Sequence, residues 1–182
     1  SGVGAVMGIK NLKAVVVKGK GRIPLADPDR FKAFNKKILD TFKEGIKETP
    51  LGLTVNGTAG VVMTTQNVGV LPTKNWQQGT FDGWEKIHGE ELTRRFLKKN
   101  SACYSCPIGC GRKTKVDDPR FSGEGEGPEY ETIYAMGSNC MIDDLAAIVK
   151  ANFICNEMGL DTITMGATIA CAMELVDRGY LK

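Results

Sequence analysis

The hydrophobic pattern of this chain opens on a strand and then turns helical. Residues 1–8 are glycine-rich, and the stretch Asn11 to Lys18 holds Val15, Val16 and Val17 in succession, the pattern of a buried strand. Residues 19–26 read as a connector. Asp27 followed by Pro28 gives an N-cap acid and a proline at the first helical position. Phe31, Phe34, Ile38 and Phe42 then recur at helical spacing, which predicts a helix running to about Glu48, where Thr49-Pro50 stops it. A short helix is predicted near Ala59 to Gln66, followed by a long ordered loop over residues 67–79 whose Asn, Thr and Trp residues either line a pocket or pack on the surface. A charged helix over about Gly89 to Lys99 leads into a cysteine-rich loop.

Beyond that loop, residues 117–127 are polar and end Gly123-Glu-Gly-Glu-Gly127, which reads as a flexible linker. Pro128 opens a helical pattern through about Asn139. Asp143 and Asp144 can cap the next helix, whose apolar side carries Leu145, Ile148, Val149 and Phe153 and whose end is marked by Gly159. Asp161 or Thr162 starts a last helix, with Ile163, Ala167, Ala170, Cys171 and Leu175 along one side and Gly179 at its end. The fold class is therefore mainly α, with a short β segment at the N-terminus.

Composition narrows the picture. The chain has 182 residues, 42% hydrophobic and 25% charged, enough for a real core in one ordinary domain or two small ones. Its formal net charge of +3 is too balanced to argue for nucleic acid or an anionic membrane as partner. No apolar run approaches the ~18 residues of a membrane span, and no secretion signal opens the chain, so a cytoplasmic location is expected. A start at Ser1 and an end at Lys182, directly after a helix-like stretch, suggest a fragment of a longer protein.

The chemistry concentrates in the cysteines. Of the six, Cys103, Cys106 and Cys110 fall in a C-x2-C-x3-C run, while Cys140, Cys155 and Cys171 are scattered. Short spacings let successive thiolates converge on one small centre, so a metal or iron–sulfur site is favoured over reactive or disulfide-forming thiols. Zinc sites usually present two separate ligand pairs, and this chain has a triple without a second pair. A cubane is held by four Cys, and a compact triple plus one distant Cys is a common way to supply them. Pro107 and Gly109 suit a tight loop whose N–H groups turn toward cluster sulfurs. Arg112, Lys113 and Lys115 follow at once; their charge would favour a reduced cluster and attract an acidic electron carrier, or they simply form a solvated basic loop. Cys155 and Cys171 sit in apolar helical surroundings, Cys140 is only slightly better placed, and a fourth ligand outside this chain is the preferred reading. Two other classes stay open: an iron–sulfur electron-transfer module completed by Cys140, and a zinc-stabilised interaction domain with the single histidine, His88, as fourth ligand.

Four stretches together resemble the tungsten-containing aldehyde:ferredoxin oxidoreductase family. They are Gly4-Ala-Val-Met-Gly-Ile-Lys-Asn-Leu-Lys-Ala14, the run from Cys103 to Cys110, Gly125-Glu-Gly-Pro-Glu-Tyr-Glu-Thr132, and Cys155-Asn-Glu-Met-Gly-Leu-Asp-Thr162. Leu71-Pro-Thr-Lys-Asn75 fits less specifically. The resemblance covers essentially the whole chain in the family's order. It implies an enzyme in which tungsten (or molybdenum), held by two pterins, oxidises aldehydes to carboxylic acids or handles a related substrate. A 4Fe–4S cluster passes the electrons to ferredoxin or a similar carrier. By motif, Cys103, Cys106 and Cys110 would be cluster ligands, with the fourth Cys beyond Lys182; Asn156, Gly159, Leu160 and Asp161 would contact the pterin; and Glu131, with Glu129 second, would be the acid/base. Residues 1–22 would be the tail of an N-terminal pterin-binding β domain, and 23–182 a helical domain completed by N- and C-terminal parts of the same polypeptide. A homo-oligomer is open.

Bottom-up, the turn at 156–161 also reads as a helix C-cap followed by an N-cap, with Asn156 standing where the family often has Asp. Glu129 and Glu131 also read as capping charges on a first helical turn. Two departures accompany the resemblance. A Glu/His pair for an interface metal, present in some members, is missing, with Lys150 in the middle of the corresponding helix, and the family's active-site His is not in this chain.

Overall fold

A computed structural model describes residues 3–45 and 52–182. Eight α-helices are present among them: α1 Val3–Ile9, α2 Pro28–Gly45, α3 Leu53–Asn56, α4 Val61–Asn67, α5 Gly89–Phe96, α6 Tyr130–Met136, α7 Leu145–Met158 and α8 Thr162–Asp177. Three short strands, β1 Leu97–Ser101, β2 Gly111–Val116 and β3 Gly123–Glu126, form one antiparallel sheet in the order β1-β2-β3. The mainly helical class holds, with a small sheet in it.

The helices capped in the sequence are the helices observed. Asp144 caps α7 by accepting from the N–H groups of Ala146 and Ala147. Gly159 closes it in the left-handed conformation at φ 69°. Asp161 caps α8, accepting from the Thr164 N–H at 2.9 Å. Leu145, Ile148, Val149 and Phe153 of α7 are all buried, packed with Val62, Leu71, Ile87, Leu92 and Ile133 in one core. Asp27 caps α2 through the Arg30 N–H at 2.9 Å, and the end expected near Glu48 lies outside the described residues. The helical pattern expected from Pro128 to Asn139 is split into α6 and a 3₁₀ turn over Ser138–Cys140.

Four expectations are corrected. The strand expected over residues 11–18 does not form: no strand is assigned there, and Val15, Val16 and Val17 are 71–90% exposed. A strand needs a neighbour to pair with, and none of β1–β3 reaches it. The sheet lies instead at residues 97–126, so the charged helix α5 ends at Phe96 and Lys98 and Lys99 enter β1. The supposed linker 117–127 contains β3, whose residues pair from Lys113↔Glu126 to Val116↔Gly123. Its glycines are there because the Phe153 ring lies on them: a Cβ on Gly125 would come within 2.9 Å of that ring, and on Gly123 within 3.0 Å. Finally, of the side of α8 expected to be apolar, Ala170 is buried and Ala167 and Leu175 are half-buried, but Ile163 and Cys171 are exposed, and Gly166 is the other buried position. Gly166 presses on Ala135 of α6, where an added Cβ would stand 2.5 Å from the backbone.

Candidate active site

The cap geometry brings the two motif segments at 125–132 and 155–162 to one place. The end of β3, the start of α6, the end of α7 and the start of α8 surround an open cleft of about 470 Å³. Glu126, Glu129, Glu131, Asn156 and Asp161 line it, together with Thr132, Asn152 and Thr162. Four residues singled out in the sequence, Glu129, Glu131, Asn156 and Asp161, therefore share one cavity although up to 32 positions separate them.

Local chemistry holds the walls. Asn152 is buried and donates its amide to the Glu126 carbonyl at 2.7 Å; Asn156, one turn later, donates to the same carbonyl at 3.2 Å. Gly127, at φ 87°, lies against the Asn152 side chain, which a Cβ would meet at 3.0 Å. The Thr114 hydroxyl donates to the Gly127 carbonyl at 2.6 Å. Thr132 and Thr162 hydroxyls meet at 2.8 Å, joining α6 to α8 at the cleft floor. Thr58 donates to a Glu129 carboxylate oxygen and accepts from the Tyr130 N–H at 2.9 Å. Glu129 is thus half-buried and anchored, whereas Glu131 is exposed to the cleft and makes no hydrogen bond or ion pair among the described residues. A held carboxylate and an unpartnered one thus share the cleft.

Gly159 and Leu160 stand at the turn behind the cleft rather than in its lining. Here α1 packs end-on: a Cβ on Gly4 would come within 3.0 Å of Gly159 Cα, and one on Gly159 within 3.2 Å of Gly4 Cα. Two of the four motif segments therefore meet through glycines that only a bare backbone allows.

The cysteine triple occupies the loop between β1 and β2. Ser105 and Gly109 have positive φ (56° and 62°), and the Cys106 N–H bonds the Cys103 carbonyl at 3.0 Å. All three thiols are free, Cys103 exposed and Cys106 and Cys110 half-buried. Among the described residues no three His, Cys, Asp or Glu side chains converge as metal ligands. The other cysteines lie elsewhere. Cys140 is buried between α6 and α8, its thiol directed at the carbonyls of Ala135 (3.3 Å) and Gly166 (3.4 Å), and burial pushes its pKa up to about 11. Cys155 is buried and its thiol is likewise pushed up by burial; Cys171 is exposed on α8. His88 occupies the N-cap position of α5 without a side-chain cap, beside the Trp84 ring, 5.4 Å between centroids.

Of the two readings open for the basic run after Cys110, the solvated loop does not apply to Arg112, which is 1% exposed. It lies on the buried face of β2 with Thr114 and Val116. Its guanidinium donates to Asn100 Oδ1 and to the carbonyls of Leu53 and Thr54 (3.4 Å each), and its Nε has no partner among the described residues. Burial lowers its pKa, opposed by the negative charges of Glu129 and Cys110. The signal was the parity of residues 112, 114 and 116, unreadable while the Gly-rich partner strand passed for a linker. Asn152 was also missed, though a polar residue among the apolar positions of α7 marks it.

Residues 34–182 match the family model described as aldehyde ferredoxin oxidoreductase, domains 2 and 3. The tungsten-containing aldehyde ferredoxin oxidoreductases of Thermococcus kodakarensis and Pyrococcus furiosus are 45% and 42% identical over 184 residues, all of this chain and 29% of each relative. A protein of Pyrococcus furiosus named aliphatic sulfonate oxidoreductase, WOR-like subunit, is 33% identical over 182 residues, 99% of this chain and 28% of that relative. The chain thus spans less than a third of the length of these relatives.

Proposed function

Because the chain belongs to the aldehyde ferredoxin oxidoreductase family, we propose that it supplies the acid/base wall and the cluster loop of a cytoplasmic tungsten-pterin oxidoreductase. That enzyme oxidises an aldehyde, or a related substrate, and delivers electrons to ferredoxin or a similar carrier. The observation that carries this reading is the shared cleft of Glu129, Glu131, Asn156 and Asp161. A tungsten (or molybdenum) bis-pterin group, when bound, supplies the two-electron chemistry. The residues fit such a group on this chain's side. The Gly4–Gly159 contact leaves backbone where side chains would intrude, and the cleft wall is built of amide, hydroxyl and carboxylate groups suited to a polar heterocycle. Asn156 and Asp161 would hold it from the cleft wall, with Gly159 and Leu160 forming the turn behind them. Residues 1–22, with exposed Val15 to Val17, are read as the tail of a pterin-binding β domain, and 23–182 as the helical domain.

Although their side chains do not converge in this arrangement, the three free thiols of the β1–β2 loop have the donor chemistry of an iron–sulfur cluster and would hold it, with the buried Arg112 nearby suited to an anionic group. Such a cluster, when bound, would supply one-electron transfer. Within the cleft, Glu131 takes or returns a proton at its carboxylate, while Glu129 is held in the wall by Thr58. Substrate choice varies within the family, as the differently named relatives indicate.

The test is Glu131→Gln in the full-length enzyme. Tungsten and iron contents are expected to stay at wild-type levels while kcat falls by about 10²–10⁴-fold, the range for a lost general acid/base. Full turnover with metals retained would remove Glu131 from the chemistry.

A further inference from the structure

Arg112 carries a buried charge that no carboxylate pairs directly, although Glu129 acts on it from beyond ion-pair distance. Taking an ion out of water costs several kcal/mol unless it is paired. Among the described residues Arg112 is in no ion pair; one amide oxygen and two carbonyls accept from it, and its Nε is buried and unsatisfied. The surrounding structure is shaped to admit it. Gly57, at φ 63°, leaves the space in which a Cβ would stand 2.6 Å from Arg112 Nε and 2.7 Å from the Cys110 carbonyl oxygen. That shared point places the guanidinium near the Cys110 carbonyl, at the end of the cysteine loop. Lys113, the next residue, is only half-buried, and Lys115 is exposed and paired with Asp117 at 2.5 Å.

We propose that the buried guanidinium of Arg112 is the positioning charge that raises the reduction potential of the cluster carried by Cys103, Cys106 and Cys110. It supplies the positive counter-charge that the added electron meets. The inference rests on the cluster assignment above. No bond or proton is transferred; one electron enters the cluster, and the fixed charge stabilises the more negative, reduced state. A charge in a water-poor site acts far more strongly than one in solvent, so Arg112 rather than Lys113 or Lys115 sets the level. Arginine suits the role because it stays protonated when buried.

The experiment is a spectroscopic redox titration of the full-length protein, purified without oxygen, with iron assayed in each sample. At the wild-type midpoint, Arg112→Gln is expected to lower the reduced-to-oxidised ratio about tenfold, or 59 mV for a one-electron couple. Arg112→Lys, which keeps the charge, should lower it less than about threefold, and Lys113→Gln less than about twofold. An iron-loaded Arg112→Gln protein that titrates with wild type, or a Lys113→Gln shift of equal size, overturns the proposal. Should Arg112→Gln fail to retain iron, Asn100→Ala removes the side-chain oxygen that anchors the guanidinium without deleting the charge. A drop in the ratio supports the proposal, and an unmoved midpoint contradicts it. Wild-type protein without iron defeats the cluster assignment and this inference together, whereas loaded protein with an unmoved midpoint defeats this inference alone.

Discussion

Cys140 shows how environment decides what a residue can do. Its thiol is enclosed between α6 and α8 with two carbonyls as acceptors, so the neutral form is favoured. Its pKa rises from 9.0 to about 11. Unfolded, the same thiol ionises near its ordinary value. Stability is therefore fully present below about pH 9 and falls as pH rises toward 11, because only the unfolded chain then releases the proton, an effect of up to about 2–3 kcal/mol. We expect the thermal midpoint to fall between pH 9 and 11 by more in the wild type than in Cys140→Ala, whose lost pH sensitivity is the readout. Equal slopes would show that burial does not hold this proton. A thiol so enclosed is also unsuited to ligating a cluster on the β1–β2 loop, which weakens the electron-transfer module completed by Cys140.

Among the elements, the contact of α6 with α8 decides whether the cleft exists, since Thr132 and Thr162 meet across it. Gly166 permits the approach. Alanine at a helix interior normally gains about 1 kcal/mol over glycine. Here the new methyl would stand 2.5 Å from Ala135 backbone atoms, an overlap worth about 1–3 kcal/mol in the other direction. Gly166→Ala is thus expected to lower the thermal midpoint of the full-length enzyme. Gly8→Ala in α1, whose Cβ would have nothing within 4 Å, should not. A rise in the midpoint for Gly166→Ala would mean that propensity outweighs packing at this crossing.

The same elements show what was readable beforehand. Helices α2, α7 and α8 announce themselves through Asp27, Asp144, Asp161 and Gly159, because a cap is a contact between near neighbours in sequence. The sheet was hidden because strand pairing is non-local. Gly123 and Gly125 look like linker residues until Phe153 is seen lying on them. Arg112 looks like surface charge until Asn100 and the 53–54 carbonyls are seen around it. The segments at 125–132 and 155–162 were legible as motifs, but their meeting in one cleft follows from the packing of α6, α7 and α8.

At the scale of the molecule, the chain carries apolar faces that its own fold leaves uncovered. Phe31 and Phe34 of α2 are 51% and 63% exposed, and Val15 to Val17 more so. No single helix among the described residues is long and apolar enough to cross a membrane; α7 and α8 pass together only as a pair bent by 120°. With 29% of the relatives' length in hand, these faces support the proposed reading of a segment that packs within a larger enzyme. The most direct test of the account is elemental analysis for W, Mo, Fe and Zn in the full-length protein purified without oxygen. It predicts about one W (or Mo) and about four Fe per chain, the content of one mononuclear centre and one cubane. Zinc alone, with no W, Mo or Fe, would contradict it and leave Cys103, Cys106 and Cys110 as a structural zinc site.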